Sequence, residues 1–235
     1  MKSITLEGVL SILKFEVFGS KTVGKSHVVN QHTASKRFDN GKRPKQSGIH
    51  DPEAIEKLFK HGVQHNKNCD YKGAIDHLTQ VIELDPQHAQ AYYHLGAAHL
   101  RTGEFHKAID ELNRSLILEA NNAKAYYQMG CAKLRTTDYK GAADAFRMVV
   151  ALKPDSYMAY FHRGEARESL GDFNGAIEDY NISISINPKA ALPYLRRGKL
   201  KVSINDINGA CLDFYSATEL GAPEAYDLVK KYCQM

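Results

Sequence analysis

Residues 92–118 read YYHLGAAHLRTGEFHKAIDELNRSLIL, and 34 positions later residues 126–152 read YYQMGCAKLRTTDYKGAADAFRMVVAL. The two lines share a glycine, an alanine and an aromatic at matching places, and the register extends in both directions. Gly62, Gly96, Gly130, Gly164 and Gly198 fall 34 residues apart, as do Ala74, Ala108, Ala142, Ala176 and Ala210. Three places before each alanine stands a large apolar residue (Tyr71, Phe105, Tyr139, Phe173, Ile207), and before that an acid (Asp70, Glu104, Asp138, Asp172, Asp206). With glycine at about 7% of residues, five in register arise by chance roughly once in a million. A period of this length denotes a stacked array of one supersecondary unit, whose product is an extended surface.

Within a unit the apolar residues follow helical spacing. Tyr92, Leu95, Ala98 and His99 form one stripe, and Phe105, Ala108, Ile109, Leu112 and Leu116 form a second. Thr102-Gly103-Glu104 separates the two, and the recurring acid is expected to cap the second helix in all five units. Each second helix ends in a polar or proline-bearing step, at Asp85-Pro86, Asn121-Asn122, Lys153-Pro154, Asn187-Pro188 and Gly221-Ala222-Pro223, and proline cannot continue a helix. A glycine inside a helix costs about 1 kcal/mol relative to alanine. Its recurrence in every first helix predicts close approach of two backbones at the glycine and alanine, with the aromatic opening the second helix filling the wedge. Pro223, followed by Ala225, Leu228, Val229 and Tyr232, predicts an eleventh helix that covers the last unit.

This pattern resembles the tetratricopeptide repeat family over residues 55–224. The residues that carry it are Tyr92, Leu95, Gly96, Ala108 and Leu112 in the second unit, and Tyr126, Met129, Gly130, Ala142, Phe146 and Pro154 in the third. In the fourth they are Tyr160, Gly164, Ala176, Tyr180 and Pro188. Leu58 and His61 in the first unit, Ala120 in the second and Ala222 in the fifth depart from it. The resemblance implies an all-α fold: a right-handed α-solenoid of five helical hairpins (about 55–88, 89–122, 123–156, 157–190 and 191–224) and a C-terminal capping helix and tail over 225–235. A short strand or helix is expected in residues 1–19, and a basic disordered extension over 20–50.

Charge separates these regions. Residues 1–50 hold nine Lys or Arg against three acids, whereas the remaining 185 hold 22 against 24. The array is therefore near neutral and carries no nucleic-acid footprint. The extension, poor in large apolar groups, has the composition of a solvated linker. No stretch reaches the roughly eighteen apolar residues of a membrane span, and Glu7, Lys14 and Glu16 interrupt any secretory core. A cytoplasmic protein without membrane contact is expected. Cys69, Cys131, Cys211 and Cys233 show no paired spacing and are expected to be free thiols.

In the resembled family the first helices line a concave face. One row there is Phe59, Tyr93, Tyr127, Phe161 and Leu195; beside it run Lys60, His94, Gln128, His162 and Arg196. A third comprises Val63, Ala97, Cys131, Glu165 and Lys199, and Lys67, Arg101 and Arg135 form one edge. An aromatic ladder flanked by donors suits an extended or helical peptide. This points to a non-enzymatic scaffold or adaptor for a protein or peptide partner, needing no cofactor. A subset of the family grips acidic chaperone tails with a clamp of Lys, Asn, Asn, Lys and Arg. From the first unit those places fall on Phe59, Val63, His94, Lys124 and Gln128, and no other starting unit fits better. That clamp is absent.

Gly19-Ser20-Lys21-Thr22-Val23-Gly24-Lys25-Ser26 matches the phosphate-binding loop pattern, and Leu13 to Phe18 alternates as a preceding strand should. An NTP-binding protein using this loop, with the repeats as its partner-binding module, is the alternative. Against it, no apolar helical stripe follows Ser26, and some fifty residues cannot hold a nucleotide-binding sheet with its own metal-binding acid. His61 and His65 lie four apart on one helical face, as shared metal ligands would. No third ligand is evident in sequence, and His61 stands where the family packs a leucine, so packing is the expected role. No catalytic triad or metal site is expected.

Overall fold

The structure, a computed structural model, describes residues 51–233. They form eleven helices: α1 (Pro52–Lys67), α2 (Tyr71–Leu84), α3 (Ala89–Thr102), α4 (Phe105–Leu118), α5 (Ala123–Arg135) and α6 (Tyr139–Leu152), then α7 (Tyr157–Ser169), α8 (Phe173–Ile186), α9 (Ala191–Ser203), α10 (Ile207–Glu219) and α11 (Pro223–Tyr232). Each odd helix packs on the even helix after it, and each even helix on the next unit's first helix. This is an α-solenoid closed at its C-terminal end by α11. No strand occurs among the described residues, and none of their helices is long and apolar enough to cross a membrane.

The close approach has a different occupant from the expected one. A Cβ on Gly62 or Gly96 would lie 2.6 or 2.8 Å from Leu78 Cγ or Leu112 Cγ, and one on Gly130, Gly164 or Gly198 would strike the ring of Phe146, Tyr180 or Phe214. The side chain over each glycine is therefore four residues beyond the alanine. All five alanines are fully buried. The aromatics that open the second helices are only half-buried or, at Phe173, exposed, because they sit over the mouth of the hairpin and not between its helices.

The cap acids behave as expected in four units. Asp70, Asp138, Asp172 and Asp206 accept from the backbone N–H of Gly73, Gly141, Gly175 and Gly209 at 2.9–3.0 Å. A Cβ at those glycines would overlap the cap carboxylate, so cap and glycine are one device. In the second unit Lys107 replaces the glycine and Glu104 makes no cap bond. Lys107, then His99 and Thr102, bind the Glu104 carboxylate instead and hold its pKa at about 2.

Two buried ion clusters recur one unit apart. Asp179, fully buried, accepts from Arg163 and from Arg167, the latter at 2.9 Å; Asp213 accepts from Arg197 and Lys201, both at 2.9 Å. The expectation of four free thiols is corrected at the end of the array. Cys211 and Cys233, 22 residues apart, form a disulfide that ties α10 to the end of α11. Helix pairing brings their Cα atoms to 5.6 Å, a proximity that sequence spacing does not express. Cys69 and Cys131 are free.

Candidate functional site

First helices of successive units touch along one side of the array: α1 with α3, α3 with α5, and α5 with α7. Residues that point away from the second helices therefore align into a shared surface. At its centre lies a cleft of 820 Å³, lined from α3 by Leu100 and Arg101, from α5 by Tyr127, Gln128, Cys131, Leu134 and Arg135, and from α7 by His162, Glu165, Glu168 and Ser169. Arg196 of α9 closes one end, and Phe105 and Phe173 stand at the starts of α4 and α8.

Eight residues expected on the concave face thus meet in one cleft: Arg101, Tyr127, Gln128, Cys131, Arg135, His162, Glu165 and Arg196. Tyr93 and His94 border a neighbouring hollow with Lys124 and Lys153, outside this cleft. Phe59 packs its ring 4.6 Å from His88, Lys60 pairs with Glu56 at 3.2 Å, Ala97 is half-buried, and Lys199 pairs with Glu224. Phe161 and Leu195 are 3% and 5% exposed, so the ladder is open to a partner only from Phe59 to Tyr127. Phe161 packs 5.8 Å from Tyr180, and Leu195 belongs to the C-terminal core. Sequence reasoning missed Phe105 and Phe173, which it assigned to the interior. Their place at the interhelical turn was the available signal.

The floor of the cleft is held in place. His162 stacks on Phe146 at 5.5 Å and lies edge-on to Tyr127 at 5.8 Å. Glu165 bonds His162 at 2.8 Å and Arg196 at 2.9 Å, and Tyr180 donates to Glu168 at 2.7 Å. Burial pushes the Cys131 thiol up to about 11, and burial also raises Tyr127. Burial thus favours the neutral thiol of Cys131 in the cleft wall. Burial, followed by the nearby Lys124, Lys67 and His88, lowers the pKa of His94 and favours its neutral form.

The metal reading gains a neighbour without gaining a site. His77 of α2 lies 5.8 Å from His61 and stacks on His65 at 4.9 Å. His65 Nδ1 meets Asp70 at 2.7 Å and His77 Nδ1 meets the Gly73 carbonyl at 2.8 Å. Among the described residues no three such donors are arranged to hold a metal ion. His61 is exposed, contrary to the expected packing role, since among the described residues nothing stands in front of α1. Gly19 to Ser26 and the expectations for 1–50 lie outside the described residues.

Family profiles described as tetratricopeptide repeat match residues 67–134 and 127–191. No curated protein matches the chain. Among solved structures, a crystal structure of MamA is 28% identical over 70% of this chain and 96% of its own, with a TM-score of 0.66. MamA from Desulfovibrio magneticus RS-1 is 21% identical over 71% of this chain and 94% of its own, at 0.68. YrrB, a tetratricopeptide repeat protein with an unusual peptide-binding site, is 18% identical over 78% and 99%, also at 0.68. The latter two likenesses are of fold alone.

Proposed function

The chain belongs to the tetratricopeptide repeat family, and on that premise we propose that it is a non-enzymatic scaffold that binds a segment of a partner protein along the first-helix groove. The observation that carries this reading is the 820 Å³ cleft, whose lining comes from four successive units. Such a surface exists only in the stacked array, and its shape follows from the repeat register. Its walls pair apolar area from Leu100, Leu134, Phe105 and Phe173 with donors from Gln128 and the arginines, the mixture that orders a peptide at an interface. The fixed His162–Glu165–Arg196 chain supplies a rigid floor, which limits the ordering cost of binding.

The test is capture of a partner from cell extract by the full chain and by Gln128→Trp, which fills the cleft from a half-buried position. Ile117→Ser, on a side chain 75% exposed on α4, serves as control. The expected outcome is loss of the captured partner with Gln128→Trp and its retention with Ile117→Ser. Equal capture by all three proteins would contradict the groove.

A further inference from the structure

Residues 51–235 carry two more acids than bases, yet the unpaired charge along the last turns of α1, α3 and α5 is cationic. Lys67, Arg101 and Arg135 stand one unit apart in the last turns of α1, α3 and α5, all exposed. Among the described residues none of the three has a carboxylate within ion-pairing distance, whereas Glu165 pairs with Arg196 and Glu224 with Lys199; Glu168 accepts only from the neutral Tyr180 hydroxyl and leaves one anion at the fourth-unit end of the cleft. Arg135 lies over the Phe105 ring, 5.1 Å from its centroid, and Arg101 and Arg135 both line the cleft. Lys124 and Lys153 line the neighbouring hollow with Glu119, which accepts from Gln90 and forms no ion pair with either lysine among the described residues.

We infer that the segment bound in the groove is acidic and extended, with carboxylates about three residues apart facing Lys67, Arg101 and Arg135. This rests on the groove reading above and adds the chemistry of the occupant. Packed helices lie roughly 8–10 Å apart, and three residues of extended chain span about 10 Å, so a side chain at every third position meets each cation in turn. The chemistry is internal to a segment and needs no terminal carboxylate, in keeping with the missing clamp.

The row also states what it does not accept. Residues 1–50, with nine Lys or Arg against three acids, have the wrong sign to occupy it. A nucleic-acid backbone carries a charge at every nucleotide and would run onto Glu168 in the fourth unit, which among the described residues no cation balances. A peptide can place acids against the first three units and neutral residues beyond them.

The experiment uses fluorescence anisotropy with the full chain and a labelled, C-terminally amidated peptide of repeated Glu-Val-Thr. A Gln-Val-Thr counterpart and a single-stranded oligonucleotide of similar length serve as the comparisons. Saturable binding of the Glu peptide that weakens as salt is raised is expected, with the Gln peptide at least tenfold weaker. Arg101→Gln, Arg135→Gln and Lys67→Gln should each lower affinity roughly fivefold. All three positions are exposed, and circular dichroism on each variant checks that the helical array is retained. Equal binding of the Gln peptide, an unchanged affinity in the Arg101→Gln/Arg135→Gln double variant, or tighter binding of the oligonucleotide would each overturn the inference. If Gln128→Trp abolishes partner capture while the double variant does not, the groove stands and the acidic occupant falls. If neither variant affects capture, both fall.

Discussion

Thr137 adopts φ 60°, a left-handed conformation that a β-branched residue rarely enters. Its equivalents are Cys69, Gly103, Gly171 and Asn205, all with φ between 61° and 81°. The turn that precedes each cap thus imposes one backbone conformation on five different residues, set by the angle at which the two helices must meet. The αL conformation costs an L-residue roughly 1–2 kcal/mol, while glycine gives back about half of that in unfolded-chain entropy. Thr137→Gly is therefore expected to stabilise the protein by about 1 kcal/mol, raising the melting midpoint by about 3 °C. Asn205→Gly should change it little, because asparagine tolerates this region. Calorimetry on the two variants checks the difference; a destabilised Thr137→Gly would contradict it. This position was not legible in sequence because it conserves an angle and not a residue type. The neighbouring Asp-x-x-Gly was legible only as an acid. That the glycine makes room for the cap carboxylate emerges from the overlap a Cβ would cause, and it explains why Glu104, with Lys107 in that place, does not cap.

At the scale of the elements, the helices and their ends could be read directly, since 3.6-residue periodicity and proline punctuation are local signals. What joins helix to helix was less accessible. Positions 163, 167 and 179 hold Arg, Arg and Asp, and 34 residues later Arg, Lys and Asp recur at 197, 201 and 213. The same places in the second and third units hold Leu95, His99 and Glu111, then Met129, Lys133 and Ala145. Register alone could have exposed the ion clusters, but a charge on an apolar stripe reads first as solvated. Asp179 is fully buried, and removing its charge leaves Arg163 without an anion and Arg167 with only the more distant Asp172 at 3.7 Å. Asp179→Asn should cost about 3 kcal/mol, measured by urea denaturation. A loss below half a kilocalorie would show that the cluster contributes nothing net. The Cys211–Cys233 bond closes a 22-residue loop and should add about 3 kcal/mol by restricting the unfolded chain. It fastens the element most exposed to fraying, the terminal helix.

Across the whole molecule the array changes character along its length. Its C-terminal units are held by ionic clusters and a disulfide, and their would-be ladder residues Phe161 and Leu195 are buried. Its N-terminal three units keep Phe59, Tyr93 and Tyr127 partly open beside unpaired cations. The sequence showed the rows by their spacing but not which members reach solvent, because exposure depends on how much the next unit covers. We therefore propose the first-helix side from α1 to α7 as the functional surface. Site-specific photocrosslinking addresses this claim most directly, with a benzophenone side chain placed in turn at Gln128, Arg101, Ile117 and Leu212. The first two positions line the cleft, and the last two are exposed on second helices at 75% and 70%. The account predicts that the bound partner crosslinks from Gln128 and Arg101 and not from Ile117 or Leu212; crosslinks from the second-helix positions with none from the cleft would contradict it.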